Sequence, residues 1–297
     1  MGAAEKMSAL TIVERLDELP TLPKIVYELS RVINDPMSST LEIEKVMSSD
    51  QSLTTKVLAL ANSAYYAIPG GVTSLQRAIA YIGYDTVNQL VLSASVINAL
   101  KVDHSQSFDT TLFWKHSLGV AIASEVTARM VHHKLPSDLF TCGLIHDMGK
   151  IALFILAPGN FEETLAFAKA NGVTLSDAES ALDSPSHAIL GRDLAIKWHL
   201  PGFLQAATAY HHQKDVSQRG GVSQEMNVVV DIVLIANLLI HAIQFGDSGH
   251  AKVTGAPREV LERLHLNSDK LKELIAKIKS SLVGADAFLK IIGGGAV

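Results

Sequence analysis

The chain has 297 residues, enough for one large domain or two ordinary ones with a proper buried core. Hydrophobic residues make up 48% and charged residues 19%, with a mean hydropathy of +0.24, which excludes extended disorder. A net charge of -5 argues against a broad positive face, so nucleic acid is not expected as a partner.

Residues 1–17 read as a lead-in ending in a short helix. Leu19-Pro-Thr-Leu-Pro23 then stiffens the backbone before a helix over 24–33, whose Val26, Leu29 and Ile33 share a face. Ser39 with Glu42 has capping-box spacing ahead of Leu41, Ile43 and Val46. Asp50 or Ser52 caps the next helix, which runs out near Asn62. Thr73 and Gln76 repeat the capping-box spacing, Gly83 stops that helix, and Asp85 starts a long apolar one over 86–100. No strand pattern appears, and four or five packed helices with an interaction role are expected. Asn62, Ser63 and Tyr65 either bind something or tie a helix end to its neighbour.

Residues 101–108 read as a connector. A helix over 109–130 contains Trp114-Lys-His-Ser117. The next, started by Pro136 and Ser137, carries Cys142-Gly-Leu-Ile-His-Asp-Met-Gly-Lys150. His146 and Asp147 are adjacent, and adjacent helical side chains diverge by about 100°. If buried, both need a partner, and a metal ion would satisfy both: zinc, iron or manganese suits a His nitrogen and a carboxylate oxygen. Alone, such a pair is more often a hydrogen-bonded structural or surface pair. Further helices are expected over 160–170, from Ser184-Pro-Ser-His187 with Ser184 as N-cap, over 202–212 ending in Tyr210-His-His212, and over 227–245 with Asp231 and Asn237. Helices over 257–264 and 268–282 precede a frayed glycine-rich tail.

The chain has twelve histidines. His116, His146, His187, His211 and His212 lie on expected helices with apolar neighbours, and each also reads as a core histidine. His104, His132, His133, His250 and His265 have polar surroundings and read as surface residues, while His199 and His241 are ambiguous. The five are spread over four helices, and facing helices are where bundles build metal sites. Spacing alone does not prove convergence, since no His-Glu-x-x-His turn is present. There is no phosphate loop, no Gly-x-Ser-x-Gly elbow and no nucleophilic triad. Cys142, the sole cysteine, reads as core and fits a reducing cytoplasm. No membrane span is expected, the longest uncharged runs, 86–100 and 232–246, reading as buried helices.

Over roughly residues 18–245 the sequence resembles the HDOD family, the HD-related output domain of bacterial signalling. The first half carries this in Leu19-Pro-Thr-Leu-Pro23, Ser49-Asp-Gln-Ser-Leu53, Lys56-Val-Leu-Ala-Leu-Ala-Asn-Ser63 and Ser74-Leu-Gln-Arg-Ala-Ile-Ala-Tyr-Ile-Gly83. The second half carries it in Trp114-Lys-His-Ser117, Gly143-Leu-Ile-His-Asp147, His187 with Gly191, Trp198-His-Leu-Pro201 and the His211-His212 pair. The resemblance implies an all-α fold of two packed helical subdomains, the second an HD-like bundle. On this reading 1–17 is the lead-in, 18–105 the first subdomain, 106–245 the HD-like one and 246–297 a helical extension.

The wider superfamily includes metal-dependent phosphohydrolases and cyclic-di-nucleotide phosphodiesterases of the HD-GYP kind. By resemblance His116, His146, Asp147, His187, His211 and His212 fill metal positions, for one or two ions of iron, manganese or zinc with Asp147 bridging. Lys150 and Asp147 fill catalytic ones, Lys150 neutralising phosphate charge; as a helix lysine it reads equally as solvated. Asn237 stands where the hydrolases carry Asp, offering a carbonyl oxygen without charge. Asp231, six residues earlier, is turned about 120° away. No Gly-Tyr-Pro segment follows the His pair. The resemblance therefore implies a signalling protein working through protein partners with a metal in its HD-like half, or alternatively a metal-dependent phosphohydrolase or phosphodiesterase acting on a nucleotide or cyclic nucleotide. No receiver, GGDEF-like or membrane-sensor segment is present, so control is expected from a separate partner or small molecule.

Overall fold

The computed structural model describes residues 7–35, 37–63, 65–66, 68–102 and 108–293, and among these every regular element is a helix. His104, most of the expected connector and the tail 294–297 lie outside the described residues. Two compact units are formed, one of Met1–Pro20 with Val102–Ile278, the other of Thr21–Lys101 with Lys279–Val297. Helix α1 (Ala9–Glu14), capped by the Ser8 side chain, and a 3-10 turn at Arg15–Glu18 open the first unit.

The second unit contains α2 (Lys24–Ile33), α3 (Thr40–Met47), α4 (Gln51–Ala61) and α5 (Leu75–Ala99). Both halves of the Ser39–Glu42 capping box form, and Asp50 caps α4 through Leu53 N at 2.9 Å. The cap of α5 is Ser74, not Thr73: its Oγ accepts from Arg77 N, and Leu75, Ala78 and Ile79 turn inward. Gln76 is then free to donate to Glu44 on α3 at 2.9 Å. Gly83, at φ +81°, kinks α5 into two limbs at a backbone angle that glycine adopts without a Cβ penalty. Asn62 clamps the end of α4 with both ends of its amide, donating to Val72 O at 2.7 Å and accepting from Val72 N at 2.6 Å. That is the structural reading of Asn62.

The first unit continues through α6 (Thr110–Met130), α7 (Pro136–Ile145), α8 (Met148–Leu156), α9 (Pro158–Asn171), α10 (Leu175–Ala181), α11 (His187–Lys197), α12 (Gly202–Tyr210), α13 (Gln224–Ile243) and α14 (Arg258–Arg263). Helix α15 (Ser268–Ser281) follows, and α16 (Ala285–Gly293) belongs to the second unit, burying Phe288 edge-on to Tyr65. Helices α10 and α16 were not anticipated from the sequence. Around the core pairing of α6 with α7, α11 packs on both α8 and α12, and α13 packs on α6, α7 and α12. The lead-in is stitched to this unit: Arg15 donates to Leu156 O at 2.6 Å, Trp198 Nε1 to Pro20 O at 3.0 Å, and Ile12, Leu16 and Leu19 are buried.

Pro136–Leu156 and Gln224–Ile243 are long and apolar enough to cross a membrane by length and composition, but 94% and 67% of their most apolar windows are buried inside the fold. They are core helices of this unit. Cys142 is buried as well, which raises its thiol pKa well above the ordinary value.

Two expected helices start or run differently. The stretch 136–155 is not one helix but two, broken at His146 and Asp147, where Asp147 adopts φ -100°, ψ 10°. The break aims both side chains inward, which an unbroken helix with its 100° step would not do. Helix α11 begins at His187 with Ser186 as cap, two residues after the expected Ser184. Its first N–H is satisfied by a carboxylate from elsewhere, Glu179 Oε1 at 3.1 Å, so no serine cap is needed.

Candidate metal centre

Each side chain of the centre is delivered by a helix or a helix end. His116 comes from the middle of α6, His146 and Asp147 from the α7–α8 break, and Lys150 from the first turn of α8. His187 opens α11, His211 and His212 end α12, and Asn237 lies on α13. Gly149 permits this closeness: a Cβ there would come 1.9 Å from His187 O, so α8 can lie on the first turn of α11 only without one.

Asp147 is the hub. Its Oδ2 lies 3.3 Å from His146 Nε2 and accepts from Lys150 Nζ at 2.7 Å; its Oδ1 lies 3.3 Å from His187 Nε2 and 3.2 Å from His211 Nε2. His187 Nε2 is 3.0 Å from His212 Nε2, and His116 Nε2 is 3.0 Å from Asn237 Oδ1. His116, His146, Asp147, Lys150, His187, His211, His212 and Asn237 are thus brought together. His116, His146, Asp147, Lys150 and His187 are fully buried, so Lys150 is not a solvated helix lysine; its ammonium also donates to Ser248 O and Oγ at 3.2 and 3.3 Å.

The tautomers follow from the outer contacts. His146 Nδ1–H donates to Gly143 O at 2.7 Å, His211 Nδ1–H to Thr208 O at 2.8 Å, and His187 Nδ1–H to Glu179 Oε1 at 2.6 Å. The opposite nitrogens, all Nε2, face the Asp147 carboxylate. Buried His146 Nε2, His211 Nε2 and Asp147 Oδ1 have no hydrogen-bond partner. Lone pairs gathered on a carboxylate oxygen that has no donor are a cost that a cation removes. Two overlapping sets can supply ligands, Asp147 with His187, His211 and His212, and Asp147 with His116 and His146. These donors fit a transition-metal ion.

The electrostatics agree. Burial would raise the Asp147 pKa, but His146 and Lys150 outweigh it and hold the carboxyl well below its usual range. Burial pushes His211 down to about 4, and His116 and His212 well below their ordinary value. His187 is the exception: burial lowers it, but Glu179 and Asp147 leave it raised, so the site draws positive charge to that ring.

Several neighbours were misread or missed. His250, expected at the surface, stacks with His241 at a ring separation of 4.2 Å, and His241 stands 4.2 Å from His116. The loop after α13 folds back over the site, carrying Ser248 to Lys150 and His250 to His241. His241 sits one helical turn after Asn237 on α13, a spacing that marked a shared face. Glu179 had no such signal, being on the unanticipated α10. Asp231 is indeed elsewhere, bound by Arg219 at 2.6 Å and Arg263 at 2.7 Å. His132, His199 and His265 are exposed. A cavity of about 610 Å³ reaches the centre from outside, lined by His211, His212, Asn237 and His250 with Ser180 and Lys214.

Comparison with known proteins agrees on the fold. A structure of an HDOD domain protein of unknown function from Geobacter sulfurreducens superposes with a TM-score of 0.79 at 24% identity, covering 95% of this chain and 98% of that one. A Shewanella amazonensis protein provisionally assigned to the phosphohydrolases gives 0.66 at 23% identity, covering 95% and 92%. A Marinobacter aquaeolei protein provisionally assigned to signal transduction gives 0.76 at 20% identity, covering 99% and 63%. An uncharacterized protein of Treponema pallidum (strain Nichols) is 23% identical over 285 residues, 94% of this chain; the chain spans 52% of that curated relative's length. The HDOD domain family model matches residues 19–214. With about two-thirds of its length matched by that model, the chain belongs to the HDOD domain family.

Proposed function

We propose that this chain is a bacterial signal-transduction module acting through protein contacts, and that its HD-like unit holds a divalent metal ion at the Asp147 cluster. The observation carrying the metal is the tautomer pattern: three imidazoles fixed through Nδ1 turn Nε2 toward one buried carboxylate. Its ligands are proposed to be drawn from the set His116, His146, Asp147, His187, His211, His212 and Asn237, with zinc, iron or manganese as the ion. The regulatory role draws on the family and on the Marinobacter relative. A cytoplasmic setting belongs to the same reading, resting on a single buried cysteine.

Element-resolved mass spectrometry on untagged protein tests the metal, beside a His146→Ala/Asp147→Ala variant. Zinc, iron or manganese at one or more equivalents, lost in the variant, is expected. A wild-type chain that stays metal-free after purification without chelators and reloading with each ion overturns the metal reading.

A second reading is favoured by the cavity, which gives a small molecule access to His211 and His212. In it the chain is a phosphohydrolase acting on a nucleotide or cyclic nucleotide, as the provisional assignment of the Shewanella relative suggests. A bound ion would supply Lewis acidity and an activated water. Lys150, held beside Asp147, would place positive charge near a phosphoryl group. Turnover of a phosphodiester panel by the metal-loaded chain, abolished by Lys150→Met, is the outcome that would favour this reading.

A further inference from the structure

We infer that the cluster binds one ion, held by Asp147 Oδ1, His187, His211 and His212, and that Lys150 and Asn237 keep the adjoining position, between His116, His146 and Asp147, free of metal. This rests on the metal reading above and specifies it.

The first argument is a donor inventory of the two positions. On the His187 side, Asp147 Oδ1 and His211 Nε2 have no hydrogen-bond partner, and His187 Nε2 and His212 Nε2 face only each other and the carboxylate. On the His116 side, Asp147 Oδ2 already accepts from Lys150 Nζ at 2.7 Å, and His116 Nε2 is engaged with Asn237 Oδ1 at 3.0 Å. His146 Nε2 and His116 Nδ1 are left there without partners, two neutral nitrogens with no carboxylate oxygen free of Lys150 to offset a second dication.

Charge separates the positions in the same direction. Glu179 stands behind His187, adding negative charge and raising the basicity of that ligand. The other position has an ammonium pinned in place by Asp147 and by both oxygens of Ser248, and it has an amide where a carboxylate would be needed to offset a second dication. Lys150 thus takes the place of the second ion's charge.

Spacing is the third argument. Three of the six separations among the four donors are 3.0, 3.2 and 3.3 Å, and all six lie within 4.8 Å. Four ligands around zinc at about 2.0–2.1 Å lie roughly 3.3 Å apart along each tetrahedral edge. Three neutral imidazoles with one carboxylate also favour zinc over magnesium or calcium.

The test is a calorimetric titration of the chelator-stripped full chain with zinc alone, with bound metal counted by mass spectrometry. Wild type is compared with His116→Gln, which keeps an amide donor for Asn237, and His212→Ala, a half-buried position; thermal melts confirm that both variants fold. One zinc per chain is expected in wild type and in His116→Gln, with affinity reduced more than ~100-fold in His212→Ala, beyond the range for an outer-shell loss. Two ions in wild type, or a loss in His116→Gln comparable with that in His212→Ala, would overturn this assignment while leaving a metalloprotein. No zinc uptake by wild type removes the metal reading itself, and this inference with it. If His116→Gln does not fold, Asn237→Leu takes its place with the same two outcomes.

Discussion

Glu179 accepts from both the Nδ1–H and the backbone N–H of His187, so one carboxylate sets a ring tautomer and a helix start together. Glu179→Gln keeps an oxygen for the ring but removes the charge. Zinc affinity should fall ~10–100-fold with an unchanged far-ultraviolet spectrum; an affinity equal to wild type would show that Glu179 serves only the helix end. The central residues of the site were legible because they sit in short ordered motifs, His146-Asp147 and His211-His212, that a family resemblance picks out. Glu179, Ser248 and His250 were not legible. Each reaches the site by chain reversal, α10 turning back toward α11 and the loop after α13 folding over Lys150, and nothing in local spacing encodes a reversal's destination.

Helices α8 and α11 approach so closely that a methyl group at Gly149 would overlap the His187 carbonyl. Gly149→Ala should therefore cost about 3 kcal/mol or more, the upper part of the overpacking range, a Tm decrease of roughly 6–12 °C by the scaling for domains of 150–250 residues. It should weaken zinc binding too, because His187 moves with α11; a variant that melts normally and binds normally would mean that the two helices yield freely. Elements with a clear start were readable in advance. Helix α2 over Lys24–Ile33 starts directly after Pro23, and α3 and α6 follow the Ser39–Glu42 box and the Asp109 cap. The break at His146 and Asp147 was hidden, since the apolar runs on either side, Leu144-Ile145 and Ile151-Ala152, continue one helical period through it.

At the scale of the whole molecule, the buried histidines make metal-free protein sensitive to acid. His211 is held at about 4 and His241 at about 3, each by burial first, against an ordinary value of 6.5. These rings stay neutral in the folded chain and take up protons on unfolding, so their stabilising effect is complete above pH ~6.5 and is lost as pH falls toward 4 and 3. Scanning calorimetry of chelator-treated protein should show Tm falling steadily over that window. Added zinc should raise Tm near neutrality, by mass action on the folded state. A Tm unchanged between pH 7 and 4.5 would contradict the burial of these rings.

Two cavities touch the Asp147 cluster, a larger one along His211, His212, Asn237 and His250 and a smaller one that reaches His212 past Glu179; His116, His146, His187 and Lys150 are buried behind helices. His212 is thus the member of the cluster that both cavities reach. Any ion entering or leaving would therefore meet that imidazole first and leave it last.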